Sequence, residues 1–198
     1  MLKGSSGKQI TRRTQLFGMV GVAAAMTGCF RIVHREPEPP SPLRGLNDIA
    51  ISFDYTHIVV GGMEREAFLA KKVAEDPQYM KTWADLLAEF EDKFILELRS
   101  RWGAVTVLAP GQKAPETSAD LNVVVSSLDI GHFIPFATRN TEVKVAMRWS
   151  VKGQIAHVQD EDSSVRPTLT FASVFQHIKP IGQNLGRAAA NFMRAKQR

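Results

Sequence analysis

The chain contains one cysteine, Cys29. No disulfide framework can brace it, so its stability has to come from a buried core. The five histidines, His34, His57, His132, His157 and His177, stand singly. None has the His-x-x-x-His or Glu-His helical spacing that a metal site uses. There is no Gly-x-Ser-x-Gly elbow for a serine nucleophile, and Gly61-Gly62 lacks the downstream glycine and lysine of a phosphate loop. The carboxylate groups Glu91-Asp92 and Asp160-Glu161-Asp162 read as solvated charge on a helix surface and a loop. These absences set the expectation of a protein that is not an enzyme and carries no cofactor or metal. No internal repeat is visible. The N-terminal apolar or small run, Leu16 to Thr27, is about 12 residues, short of the roughly 20 that a membrane-crossing helix needs.

That short run has a cationic leader, Lys3, Lys8, Arg12 and Arg13, with no acidic residue. A charged leader before a centre of about 7–15 apolar residues is the pattern of an export signal. Met26-Thr27-Gly28-Cys29 then resembles the lipobox of bacterial lipoproteins. The resemblance implies cleavage between Gly28 and Cys29 and acylation of the Cys29 thiol. It also implies a palmitate-type anchor in place of a protein span, since each buried methylene contributes about 0.8 kcal/mol. In that family an aspartate after the cysteine favours the inner membrane. Phe30 here implies the outer membrane, with the domain in the periplasm. Thr11-Arg12-Arg13-Thr14-Gln15-Leu16-Phe17 resembles a partial twin-arginine motif, with Gln15 at a usually aromatic position, so two export routes stay open.

Removing residues 1–28 lowers the formal net charge from +5 to +1, leaving 21 basic and 20 acidic residues. A nearly neutral mature chain lacks the footprint of a nucleic-acid binder. Residues 29–45 hold Pro37, Pro39, Pro40 and Pro42. They are expected to form an extended tether, at about 3.1 Å per residue in polyproline II, ahead of a single domain over 46–198.

The domain's patterns predict an α+β fold. Its two layers comprise a mostly antiparallel sheet of four to five strands, with a long helix and a kinked C-terminal helix on one face. Ile49, Ile51, Phe53 and Tyr55 alternate as a half-buried strand does, ending at Gly61-Gly62. A short helix follows, stopping before Pro77. Trp83, Leu86, Leu87, Phe90, Phe94, Ile95 and Leu98 recur at three and four residues over 79–102, predicting a long helix with Gly103 at its end and Thr82 as a second possible start. Strands are expected at 104–109, 120–130 and 140–151. A turn at Lys152-Gly153 and a return strand follow, with 159–164 as a loop. Phe171 to Phe192 keeps a helical period interrupted by Pro180, predicting two pieces, 169–179 and 181–195. The order of elements resembles the small α/β domains of envelope accessory lipoproteins.

One segment stands out for function. Residues 129–140 place Phe133, Ile134 and Phe136 between strands, a candidate apolar contact for an envelope protein partner. His132 lies in the same segment, three residues from Asp129, where a hydrolytic site would first show itself. The expected function is a lipid-anchored, non-catalytic accessory or assembly factor. The competing expectation is a carrier holding lipid or another apolar ligand in a cavity lined by Phe90, Phe94, Trp149 and Phe175.

Overall fold

Period-two and period-3.6 patterns become strands and helices in the order β1 (Asp48–Asp54), β2 (Val59–Val60), β3 (Met63–Glu64), α1 (Arg65–Glu75), α2 (Tyr79–Trp102), β4 (Val105–Val107), β5 (Ser118–Asp129), β6 (His132–Ile134), β7 (Ala137–Arg139), β8 (Thr141–Val151), β9 (Gln154–Val165) and α3 (Val174–Gln197). The computed structural model describes residues 40–134, 137–168 and 173–198. The folded unit runs from Pro40 to Arg198.

The α+β expectation holds, with helices against one face of a sheet. That sheet has seven strands and is mixed, with β6 and β7 pairing apart from it. The long ladders β5–β8 and β8–β9 are antiparallel. β1 lies parallel to both β4 and β5. The additional strands are only two or three residues long, too short for alternation to reveal them. Gly61 and Gly62, both at positive φ, form the tight turn from β2 to β3. Lys152 and Gly153, also at positive φ, make the two-residue turn that closes β8 onto β9, as the spacing predicted.

Residues 159–164 are a correction. They continue β9, which pairs only with β8 and so forms a sheet edge. An edge strand tolerates Asp160, Asp162 and Ser164 on its open side, and charge there discourages pairing with another chain. Polarity alone therefore mimicked a loop. The C-terminal helix is a second correction. It runs unbroken through Pro180, although proline offers no N–H to the Gln176 carbonyl, a loss of roughly 3 kcal/mol. Ile178, Ile181 and Leu185 are all buried in one stripe across that point. At about 1.5–3 kcal/mol for each buried side chain, keeping the stripe continuous outweighs the defect. Thr82 lies inside α2, whose N-cap is Gln78, so it caps nothing.

The inner sheet face aligns Ile51 with Leu121, Leu121 with Trp149, and Val123 with Met147 across the strands. All of these are buried. Phe53 meets the α2 rings edge-on, Phe94 at 5.5 Å and Phe90 at 6.1 Å between centroids. The two long helices approach backbone to backbone. A Cβ on Gly182 would stand 2.7 Å from the Phe90 carbonyl oxygen, and one on Gly186 closer still to that of Phe94. Glu97 on α2 adds a polar tie, accepting from Arg101 Nε at 2.6 Å and from Arg187 Nε of α3 at 3.2 Å.

Two outcomes test this packing. Gly186→Ala places a methyl against backbone that cannot rotate away. Overpacking minus the helix-propensity gain should cost about 2 kcal/mol, a Tm lower by about 4–8 °C; an unchanged Tm would mean wider helix spacing. The bond from Arg101, joined by that from Arg187, holds the Glu97 carboxyl below its ordinary value of 4.5. Its stabilisation is therefore full above that value and lost as pH falls through the lowered one. Both arginines are solvent-screened, so Glu97→Gln should cost less than about 1 kcal/mol at neutral pH. Thermal melts of variant and wild type should converge on acidification.

Candidate functional site

The segment singled out for partner contact forms a β-hairpin arm. β6 and β7 pair antiparallel, His132 with Arg139 and Ile134 with Ala137. Phe133 and Ile134 lie in β6, Phe133 opposite Thr138. Phe136 lies outside the described residues, as do Gly28 and Cys29. Asp129 does not stand free to serve His132, because its carboxylate accepts from the Arg139 guanidinium across the base of the arm.

The root of the arm is built from residues that carried no sequence signal. Gly131 packs so closely on the 139–141 backbone that a Cβ there would overlap Thr141 N and Arg139 O. Its N–H donates to Thr141 Oγ1 at 3.2 Å, and the same hydroxyl is bonded to His177 Nδ1 at 2.7 Å. Thr141 and His177 are both fully buried. A buried polar pair holds only when satisfied, so the arm's exit from β5 and its return into β8 are locked to the first turns of α3. Only the spacing within the arm was visible beforehand; the lock joins residues 131, 141 and 177 through space.

At the other end of α3, residues 41–45, the last part of the expected tether, dock onto the domain and move its start back to Pro40. Leu43, ahead of the expected start at 46, is fully buried. Gln197 Nε2 donates to the carbonyls of Leu43 at 2.8 Å and Leu46 at 3.0 Å, while its Oε1 accepts the Gly45 N–H at 2.8 Å. Ser41 Oγ is bonded to His157 Nε2 at 3.0 Å. Burial, then the nearby Lys196 cation, holds that imidazole below its ordinary value, so it stays neutral at pH 7. Between His177 and Gln197 the helix extends about 30 Å at 1.5 Å per residue. Arm and tether junction therefore occupy opposite ends of the domain.

Two spaces in the domain bear on ligand binding. The outer sheet face carries a groove of about 560 Å³ beneath the 108–118 segment, lined by Ser52, Asp120, Asn122, Lys113, Glu116 and Lys152 among others. Asn122 Nδ2 donates to Ser52 Oγ at 3.0 Å, and burial raises the Asp120 carboxyl. Glu116 is the other carboxylate of that lining, and no histidine joins the two. Between the layers, Tyr55, Ile58, Leu87, Phe90, Val125, Leu128, Val143 and Ile178 surround a gap of about 10 Å³. Among the described residues no three His, Cys, Asp or Glu side chains converge to hold a metal. No described helix is long and apolar enough to cross a membrane.

No family model and no curated protein matches the chain. Among solved structures it is similar to a minor lipoprotein from Acinetobacter baumannii, with 5% identity and a TM-score of 0.39 over 74% of this chain and 94% of that one. It is also similar to a neuraminyllactose-binding hemagglutinin homologue from Helicobacter pylori, with 10% identity and a TM-score of 0.35 over 81% and 88%. A third similar structure, an uncharacterised protein, has 12% identity and a TM-score of 0.37 over 79% and 95%.

Thr141→Val keeps the shape of the root but leaves the Gly131 N–H and His177 Nδ1 without this hydroxyl. The expected cost is roughly 1–3 kcal/mol. Amide exchange should quicken in residues 132–139 more than in β1 or α2. Unchanged exchange in the arm would show that the hydroxyl does not lock it.

Proposed function

We propose that the mature chain is a cell-envelope lipoprotein, tethered through acylated Cys29, that acts as a non-catalytic accessory or assembly factor. The outer membrane is the proposed site of the anchor, with the domain facing the periplasm. The β6–β7 arm is the proposed contact for an envelope protein, with Phe133, Ile134 and Phe136 supplying its apolar side chains. One observation carries this reading: the arm is locked to the start of α3, about 30 Å along the helix from the Gln197 clasp that receives the tether. A domain held at one end and rooted at the other presents the arm away from the anchor. Tethering raises local concentration, so a modest interface can be occupied.

The carrier reading has less support. Phe90, Phe94 and Trp149 are buried core residues, and the gap beside Phe90 is about 10 Å³. An acyl chain needs a pocket of a few hundred Å³ or more. The non-catalytic reading draws its support from Asp129, already engaged by Arg139, and from the outer groove, where no histidine joins Asp120 and Glu116.

A photo-crosslinking amino acid at position 133, 134 or 136 in native envelopes tests the arm. A single protein partner captured from these positions, and lost in Thr141→Val, is the expected result. Enrichment of a defined lipid with no protein would transfer support to the carrier. Cys29→Ser tests the anchor separately: with the signal removed, the chain should leave the membrane fraction, and its retention would overturn acylation.

A further inference from the structure

We infer that the end of the domain from which the tether leaves is a membrane-facing platform of cations that rests on anionic phospholipid headgroups. The inference rests on the acylated-Cys29 reading and adds to it which face of the domain meets the bilayer.

Although the mature chain is nearly neutral, its charges are unevenly placed. α3 contains no carboxylate along its whole length and ends in Arg194 and Lys196, with Arg198 following. The Gln197 clasp brings Arg44 beside them. Arg194 Nη2 donates to the Arg101 carbonyl at 2.7 Å, which places the C-terminal end of α2 at the same end. The β8–β9 turn is there too, since Trp149 of β8 stacks on Phe192 and its partner His157 meets the same ring edge-on. Lys152 lies just beyond, at the tip of that turn. The platform thus gathers cations from four separate segments: Arg44, Arg101, Lys152, Arg194, Lys196 and Arg198. Asp48 at the start of β1, Glu116, and Asp120, which lines the same groove as Lys152, are nearby carboxylates. Glu97, one turn up α2, is already shared by Arg101 and Arg187.

A structural explanation accounts for part of this set only. Cations in the last turn of a helix complement its dipole, and that covers Arg101, Arg194 and Lys196. It does not cover Arg44 before β1 or Lys152 at the hairpin tip, neither of which belongs to a helix. Ile155, 63% exposed, stands beside that tip, an apolar side chain at the level where headgroups meet acyl chains.

Chain length supplies the second argument. From Cys29 to Ser41 the backbone can reach at most about 40 Å when fully extended. Acylation therefore confines this end within a short distance of the surface, while the arm lies a helix length further out. A cation close to an anionic surface gains roughly fivefold in occupancy, and the attraction fades within a Debye length of about 8 Å. A tether of that reach lets the platform enter that range without specifying its orientation, and the charges then select the face.

The test uses the acylated full chain purified from membranes and reconstituted on two kinds of vesicle. One kind is phosphatidylcholine alone, the other phosphatidylcholine with phosphatidylglycerol. Co-flotation with neutral vesicles reads the anchor, and hydrogen exchange reads which face is covered. On anionic vesicles residues 42–47, 151–156 and 194–198 should be protected while 132–139 exchange freely, and high salt should abolish that protection. The triple variant Arg44→Gln/Lys196→Gln/Arg198→Gln keeps the Arg194–Arg101 bond and should still float. It should lose about a hundredfold of the protection, at roughly fivefold for each of the three cations, with an unchanged thermal midpoint. A wild-type chain that floats with both ends equally exposed, or with the arm end covered, overturns the platform and leaves the anchor standing. A wild-type chain that fails to float on neutral vesicles overturns the anchor and the platform together.

Discussion

The close approach of two helix backbones organises this domain. Gly182 and Gly186 present no side chain to the Phe90 and Phe94 carbonyls, so α3 lies directly on α2. Small residues at a helix crossing give up side-chain burial at those positions. In return they bring many neighbouring atoms into van der Waals range, each contact weak and the sum large. Ile181, Leu185, Ala189 and Met193 of the same helix are buried in the core. The helix layer gains a fixed thickness, and the aromatic cluster of Phe53, Phe90 and Phe94 fills the space beneath it.

The position of α3 links the two ends of the domain mechanically. Its first turns carry His177 to Thr141 at the root of the arm. Its last turn carries Gln197 to the backbone of residues 43–46. One rigid element thus separates the place where the chain arrives from the place where the arm departs. Pro180 does not interrupt that function, because the buried stripe on either side of it is worth more than the missing backbone bond.

The mixed sheet follows from the same geometry. β5 is the central strand, with β1 and β2 parallel to it on one side and β8 antiparallel on the other. Helices cover only the inner face, so the outer face keeps Asp120, Asn122, Ser150 and Arg148 in contact with water or a shallow groove. The open edge at β9 carries acidic residues. These make it a poor template for another strand.

Much of the fold was legible in the residues alone, because side-chain period reports which face of an element meets the core. The span of α2, the strand positions around Ile49, Leu121 and Val145, and the turn at Lys152-Gly153 were all visible that way. The cationic leader, short apolar run and lone Cys29 set the expectation of an exported, lipid-anchored chain from local sequence only. Tertiary structure alone decided what depends on neighbours distant in the chain. A polar edge strand at 159–164 looks like a loop until β8 pairs with it. Pro180 looks like a break until the stripe beside it is buried. The root of the arm, the clasp at Gln197 and the cationic end each join residues from several segments. No local pattern encodes such meetings, because they are selected by packing across the whole domain rather than by neighbours in sequence.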